Sequence, residues 1–250
     1  MTEIRHHIHT DAAGSQRRIA YRYAPGTGPV LVFLPGYMSD MAGGKATAMF
    51  DHAVARGRAA LLLDYSGCGV SDGDFAEGTL SRWRDEIVSL IAALGLDRVV
   101  LIGSSMGGWL MLLAGLDLGE RLAGLVGIAA APDFTEWGFT PADKARMAAG
   151  ETVLEDNPYG PEPTPTHASF WTDGQQRLLL GQAIALTCPV RLLHGQADPD
   201  VPWELSLRIA AALRSDDVQV HLIKDGDHRL SRPQDIALLL ATLDALPAQS

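Results

Sequence analysis

A serine at the centre of residues 103–107 has the surroundings that most favour nucleophilic chemistry in this chain. The five residues are Gly-Ser-Ser-Met-Gly, a G-x-S-x-G pattern with Ser105 in the middle. The apolar run Val99–Ser104 precedes the serine, and an apolar helix-forming run, GGWLMLLAG, follows it. A sharp strand–turn–helix junction with small neighbours presents a serine hydroxyl above the end of a sheet. The pattern predicts that Ser105 is a nucleophile and that the Met106 N–H points into the same space.

A serine hydroxyl needs a base to take its proton and a third group to orient that base. At a junction of this kind the expected chain order is Ser, then acid, then His. Asp198 in HGQAD and His228 in DGDHR follow Ser105 in that order, each just after a strand-like apolar run. The sequence therefore predicts a catalytic triad of Ser105, Asp198 and His228 for acyl transfer.

Other histidines and aspartates compete for the same roles. Two histidines lie inside apolar runs, which favours a packed core or surface position over catalysis. Two aspartates precede His228, one on each side of a glycine, which favours a turn. A third aspartate lies two residues beyond Asp198 and is the rival acid. The alternatives are His194 and His221 for the base, and Asp200, Asp225 and Asp227 for the acid.

An acyl-transfer site also needs a second N–H donor for the oxyanion, expected from the loop after the third strand. Residues 34–39, LPGYMS, follow the apolar run VLVFL. Gly36 lets the backbone bend there, and the Tyr37 N–H would complement the Met106 N–H. An ordinary Pro-Gly turn is the alternative. Beside the triad residues, the pattern favours an oxyanion hole made by Tyr37 and Met106.

The chain around these motifs alternates short apolar runs with longer amphipathic ones. Near-continuous apolar runs are typical of parallel strands covered on both faces. Segments 4–9 and 19–23 alternate instead, as an antiparallel edge pair would. The order of strands and helices predicts an α/β fold with a mostly parallel, eight-stranded sheet flanked by helices. The apolar strand segments are 30–34, 59–65, 99–104, 122–129, 190–194 and 218–223.

Residues 133–187 interrupt this alternation with 55 residues that contain no clear strand. Loops of that length are usually functional, so we interpret the segment as a small inserted cap, with helices near 141–149 and 173–185. Residues 1–132 and 188–250 then form the core. The aromatic side chains of the cap, Tyr159 among them, suit either an acyl-binding wall or simple hydrophobic packing. The candidate pocket residues are Met38, Trp137, Phe139, Trp171 and Trp203.

The cap also has an acidic composition, with eight acidic and three basic residues, a net charge of −5. That charge would repel strongly anionic groups and favour neutral or cationic acyl carriers. A substrate carboxylate would have to be bound by Arg146, Arg177 or Arg229.

Length and composition limit the class of protein. With 250 residues, 47% of them apolar and 20% charged, the chain is expected to form one soluble globular domain. A net charge of −10 without a basic run argues against binding to nucleic acid or anionic membranes. No membrane span and no signal peptide are expected, so we predict a cytoplasmic protein. Two cysteines outside any CxxC predict no disulfide framework.

Three further signals favour ordinary structure over a cofactor site. The glycines of residues 67–73 are out of register for a dinucleotide fingerprint, and residues 43–47 lack the earlier glycine and the Ser/Thr of a P-loop. His6, His7 and His9 have no cysteine or carboxylate partners, which favours a solvated edge strand over a metal site. Cys68 is expected in a turn or wall. No metal or organic cofactor is expected.

Several motifs together carry a resemblance to a known family: LPGYMSDMAGGKA, LLDYSGCGVSDG, LIGSSMGGWLML, RLLHGQADPDVPW and DGDHRLS. The chain resembles the α/β-hydrolase superfamily, and within it the bacterial relatives of a mitochondrial acyl-glucuronide esterase and palmitoyl-protein thioesterase. The resemblance implies a serine esterase or thioesterase that forms an acyl-enzyme on a small-molecule acyl ester or thioester. The alternatives are a peptidase-like or C–C bond hydrolase on the same fold, or a non-catalytic ligand receptor.

Overall fold

The computed structural model of the chain describes residues 3–157 and 160–246, so Tyr159 lies outside the described residues. Within these residues the strands are β1 (Arg5–Thr10), β2 (Gln16–Ala24), β3 (Thr27–Leu34), β4 (Arg58–Leu63), β5 (Val99–Ser104), β6 (Leu122–Ile128), β7 (Val153–Glu155), β8 (Thr164–Thr166), β9 (Val190–Gly195) and β10 (Val218–Ile223). The α-helices there are α1 (Gly44–Ala55), α2 (Leu80–Ala93), α3 (Met106–Leu118), α4 (Phe134–Trp137), α5 (Pro141–Ala148), α6 (Ala168–Gln175), α7 (Glu204–Ala212) and α8 (Pro233–Ala245).

Eight strands form the main sheet in the order β1-β2-β4-β3-β5-β6-β9-β10. The predicted edge pair is confirmed, because β1 and β2 are antiparallel, and β2 is also antiparallel to β4. All the remaining neighbours in the sheet are parallel. The prediction of a mostly parallel, eight-stranded α/β sheet is therefore confirmed.

Helices cover both faces of this sheet. The side chains of α1 and α8 pack on one face, and those of α2, α3 and α7 pack on the other. Every residue of the central strands β5 and β6 is consequently buried. This double cover explains why these strands are continuously apolar in sequence. It also leaves the strand ends as the natural place for polar chemistry.

The segment 133–187, called the cap segment from here on, contains α4, α5, α6 and the hairpin of β7 and β8. The predicted helix near 141–149 is present as α5. The expectation of no strand is wrong, because β7 and β8 pair antiparallel. The helix expected at 173–185 is also wrong, since α6 ends at Gln175. Asp133 accounts for this, because its carboxylate accepts the N–H groups of Leu179 and Leu180, each at 2.8 Å, and holds them in a non-helical path.

Hydrogen bonds fasten the cap segment to the core. The Asp173 carboxylate accepts the Ser81 N–H at 2.8 Å, and the Trp109 indole N–H donates to the Arg177 carbonyl at 3.1 Å.

Among the described residues, no helix combines the length and apolarity needed to cross a bilayer.

Candidate active site

Ser105 lies at the sharp junction between β5 and α3. Its φ of 55° and ψ of −120° lie in a region that side-chain-bearing residues rarely adopt, at a cost of about 1–3 kcal/mol. Two backbone hydrogen bonds hold the residue there. Its N–H donates to the Ile128 carbonyl at 2.9 Å, and its carbonyl accepts the Ala131 N–H at 3.1 Å. The surrounding sheet thus imposes the turn that exposes the hydroxyl.

The glycines on either side of Ser105 are required by close backbone packing. A Cβ on Gly107 would overlap the Leu34 carbonyl oxygen, and a Cβ on Gly103 would overlap the carbonyl of Gly107. Because glycine has no Cβ, the first turn of α3 can pack directly against the end of β3. The G-x-S-x-G pattern is therefore a steric requirement of this junction.

Ser105, His228 and Asp198 form a linear chain of hydrogen-bonding groups. The His228 Nε2 lies 3.1 Å from the Ser105 Oγ, and the His228 Nδ1 lies 2.9 Å from the Asp198 Oδ2. With Nδ1–H donating to the carboxylate, Nε2 is left to accept the serine proton. Asp198 follows β9 and His228 follows β10, so both lie at the carboxyl ends of parallel strands, where ligands meet open α/β sheets.

The surroundings of Asp198 keep its carboxylate charged. Burial of this side chain raises its pKa, but hydrogen bonds from His194 and His228 outweigh burial and hold the pKa well below its ordinary value. The Oδ1 atom also accepts the N–H groups of Asp200 and Val201, at 2.8 and 2.9 Å. The carboxylate is therefore ionised at neutral pH and can stabilise an imidazolium.

The loop after β3 passes beside Ser105. A Cβ on Gly36 would lie 3.3 Å from the Ser104 carbonyl oxygen and 3.4 Å from the Ser105 Cβ, which is tighter than ordinary contact. Tyr37 follows this glycine. Met106 is the first residue of α3, so its N–H has no acceptor within the helix. The two predicted oxyanion donors thus belong to the two segments that border Ser105.

The Tyr37 side chain anchors this loop. Its ring makes edge contacts with four aromatic rings, and its hydroxyl donates to the Pro165 carbonyl at 2.9 Å. Burial raises the pKa of the Tyr37 phenol well above its ordinary value, so the hydroxyl remains a donor. The packed rings are those of Phe75, Trp83, Phe134 and Phe170, at centroid distances of 5.0 to 6.4 Å.

A cleft of about 450 Å³ opens over Ser105 and His228. Its charged lining residues are Lys45 and Arg229, with Asp40 and Asp200. From the described part of the cap segment the lining includes Asn157 and Thr164, both uncharged. The acidic residues of the cap segment are therefore absent from the described lining of the cleft. The lining gives no support to the expectation that the cap segment repels anionic substrates.

Lys45 is the unexpected cation of the cleft. Its ammonium donates to the Arg229 carbonyl. Burial, together with the nearby Arg229 guanidinium, lowers the Lys45 pKa to about 8. Sequence reasoning weighed this lysine only as part of a rejected P-loop.

One of the five predicted pocket residues lies on the cleft. Met38 lines the cleft, but Trp137, Phe139, Trp171 and Trp203 are not among its lining residues. Two of the indoles are committed to nearby backbone, because the Trp137 N–H donates to the Pro132 carbonyl at 2.8 Å and the Trp171 N–H donates to the Thr135 carbonyl at 3.0 Å. Phe139 packs on Phe134, and Trp203 directly precedes α7. These contacts favour hydrophobic packing over an acyl-binding wall.

The rival residues have other surroundings. His221 lies within β10, the Asp225 carboxylate pairs with Arg232 at 2.7 Å, and the Asp227 carboxylate accepts the Leu230 N–H at 2.9 Å. Asp200 lines the cleft. His194 contacts the Asp198 carboxylate, at 3.3 Å. Sequence reasoning missed that contact, because it depends on how the chain turns after β9.

Within the described residues, one group of acidic and histidine side chains has its ligand-type atoms within 4.8 Å of one another: Asp198, Asp200 and His228. Because the Asp198 Oδ2 and His228 Nδ1 atoms are hydrogen-bonded to each other, we interpret this group as part of the Ser105–His228–Asp198 hydrogen-bond chain. Of the histidines in β1, His7 contacts the Ser89 hydroxyl at 2.9 Å.

Comparison with solved structures gives the same fold. A crystal structure of a protein from Agrobacterium vitis S4 superposes with a TM-score of 0.90 at 38% identity and covers 97% of this chain and 98% of that chain. The structure of "Alpha/beta hydrolase domain-containing protein 10 from mouse" superposes with a TM-score of 0.88 at 35% identity and covers 97% of each chain. The likeness thus extends over nearly the whole chain.

Comparison of sequences points the same way. Residues 31–238 match the sequence profile described as "Alpha/beta hydrolase family". The mouse protein "Palmitoyl-protein thioesterase ABHD10, mitochondrial" is 41% identical over 234 residues, which are 91% of this chain and 78% of that protein. The human protein of the same name is 38% identical over 237 residues, 91% of this chain and 76% of that protein. Both names place the relatives in mitochondria, so a cytoplasmic location for this chain stays a prediction.

Proposed function

This chain belongs to the α/β-hydrolase family, and on that basis we propose that it is a serine hydrolase of carboxylic esters or thioesters. The observation that carries the proposal is the unbroken hydrogen-bond chain from the Ser105 hydroxyl through His228 to Asp198. The thioesterase names of the mammalian relatives support an acyl substrate. Metal, cofactor and nucleic acid have no part in the proposed reaction.

In the first half-reaction the Ser105 oxygen attacks the acyl carbonyl while His228 Nε2 takes the serine proton. Asp198 stabilises the imidazolium that results. The N–H groups of Tyr37 and Met106 donate to the oxyanion of the tetrahedral intermediate, and each such donor contributes about 10²–10³ in rate. His228 then protonates the leaving alcohol or thiol, which departs and leaves an ester on Ser105.

In the second half-reaction His228 Nε2 takes a proton from water, and the hydroxide attacks the acyl-enzyme. The same two amides hold the second oxyanion. Collapse of this intermediate breaks the bond to the Ser105 oxygen, which recovers its proton from His228 and releases the carboxylic acid. Replacing Asp198 with Asn should lower kcat by about 10⁴, as in other triads, because a neutral amide can donate to Nδ1 and favours the wrong tautomer of the imidazole.

The test is a panel of p-nitrophenyl esters from acetyl to palmitoyl, with the matching acyl thioesters and a peptide p-nitroanilide. We expect the wild type to hydrolyse esters or thioesters and Ser105→Ala to lose about 10⁴ or more of that rate. Equal turnover by the two proteins would refute the proposal. Cleavage of the anilide alone would instead assign the chain to the peptidase alternative.

A further inference from the structure

A second serine–histidine pair lies behind the Asp198 carboxylate. His194 has 0% exposure of its side chain, and its Nε2 lies 3.3 Å from the Asp198 Oδ2 and 3.1 Å from the Val201 carbonyl. Its Nδ1 lies 2.7 Å from the hydroxyl of Ser206, a buried residue of α7. The same Oδ2 atom contacts His228 on its other side. The Asp198 Oδ2 atom therefore contacts one imidazole on the side of the cleft and a second imidazole on the side of the core.

The partners of His194 determine which nitrogen carries its proton. A carbonyl and an ionised carboxylate can only accept hydrogen bonds, so Nε2, which faces both, must be the donor. The Ser206 hydroxyl can then donate to the unprotonated Nδ1. The opposite tautomer would leave Nε2 without a proton although it faces two buried acceptors, which is unfavourable.

These contacts fill the acceptor sites of Asp198. Two backbone N–H groups donate to Oδ1, and the His228 imidazole donates to Oδ2. The His194 Nε2–H, which donates to the Val201 carbonyl at 3.1 Å, also lies within ion-pair distance of Oδ2, at 3.3 Å. A carboxylate has about four lone-pair sites, so the group is held at both oxygens and from four directions. Within residues 3–157 and 160–246, His194 is the side chain that contacts Oδ2 from the core side.

We propose that His194, oriented by Ser206, is a positioning residue that directs the Asp198 Oδ2 toward His228. The inference rests on the proposed function of Ser105, Asp198 and His228. His194 lies outside the cleft lining, so its proposed effect on the reaction passes through Asp198. Without its N–H, the carboxylate would turn more freely and would become a stronger acceptor toward His228, which favours the protonated imidazole.

The kinetic test is a double-mutant cycle with His194→Phe, which keeps a ring of similar size but removes both nitrogens. We expect kcat/KM to fall by about 10–100-fold, a loss of the size seen when the hydrogen-bond partners that orient metal ligands are removed. In an Asp198→Asn background the same change should have no further effect, because its target is already gone. A fall of equal size in both backgrounds would overturn the proposal.

Two milder variants guard against a simple folding defect. His194→Gln keeps an N–H within reach of Oδ2 and should recover most of the rate, whereas Ser206→Ala should lose part of it. The acid limb of the kcat/KM profile should move to higher pH in His194→Phe and Ser206→Ala. A lowered kcat with an unmoved acid limb in both variants would mean a merely structural role.

Nitrogen-15 NMR of histidine-labelled wild type gives a readout that needs no activity. We expect the His194 signal, assigned through its loss in His194→Gln, to report the Nε2–H tautomer. An Nδ1–H tautomer would refute the positioning role, since Nε2 could not then donate to Asp198. Loss of the proposed hydrolase function would appear separately, as a wild type without Ser105-dependent turnover.

Discussion

The Tyr37 hydroxyl donates a hydrogen bond to the Pro165 carbonyl, at 2.9 Å. Tyr37 belongs to the loop after β3, whereas Pro165 lies in β8 of the cap segment. The same side chain packs among aromatic rings of both core and cap segment. The cap segment therefore helps to fix the backbone of a proposed oxyanion donor. Substitutions in the cap segment should consequently change kcat.

Replacing Tyr37 with Phe tests this connection. The ring and its packing remain, but the Pro165 carbonyl loses its donor. We expect the free energy of unfolding to fall by about 1 kcal/mol and kcat to fall by about 2–10-fold with little change in KM, as the amide becomes less well fixed. Urea unfolding and steady-state kinetics measure both, with Tyr23→Phe in β2 as the control. An unchanged kcat would show that the cap segment does not support the oxyanion loop.

The steric role of the glycine after the nucleophile gives a second prediction. Gly107→Ala places a Cβ where the carbonyl oxygens of Leu34 and Pro35 already lie. Either α3 or the oxyanion loop must shift, and a displacement of about 1 Å can cost about 10² in rate. We therefore expect at least that loss of kcat in a protein that still folds by circular dichroism.

Gly181→Ala is the matched control for that substitution, because nothing lies within 4 Å of a Cβ at Gly181. It should leave kcat and the unfolding midpoint close to those of the wild type. Near-normal kcat in Gly107→Ala would contradict the steric explanation of the motif.

Lys45 predicts a pH-dependent response to substrate charge. Because the pKa of Lys45 is lowered to about 8, its side chain is mostly charged at neutral pH. The positive charge is lost as the pH rises through that value. The ratio of kcat/KM for a carboxylated ester to that for its neutral analogue should therefore fall between about pH 7 and about pH 9. Lys45→Met should flatten this dependence, and Lys224→Met should preserve it. A ratio that rises with pH in the wild type would exclude Lys45 from contact with the substrate.

Local sequence motifs are sufficient to predict the strand before Ser105 and the candidate acid and histidine at the strand ends. The strand before Ser105 was predicted at Val99–Ser104 and lies there, because its apolar run and the following glycines are both local signals. The acid and histidine candidates could be chosen because chain order and strand ends are visible in sequence. The hydrogen-bond distances between Ser105, His228 and Asp198 then required the folded chain.

Residues whose roles depend on distant partners could not be predicted. Trp137 and Trp171 have the composition of a pocket wall, but their indole N–H groups are bound to backbone carbonyls. His194 is expected from the sequence to be a packed core or surface histidine, and the structure buries it. Its contact with Asp198 arises from the turn after β9. In each case a tertiary hydrogen bond outweighed the pattern of residue types.

The reactivity of one hydroxyl tests the proposed chemistry. Wild-type protein treated with a serine-directed fluorophosphonate should gain a single adduct, and peptide mass mapping should place it on Ser105. Ser105→Ala should gain none, and Asp198→Asn should label far more slowly than the wild type, because His228 would lose its orienting carboxylate. An unlabelled wild type, or a Ser105→Ala variant labelled to the same extent as the wild type, would contradict the assignment of Ser105 as the nucleophile.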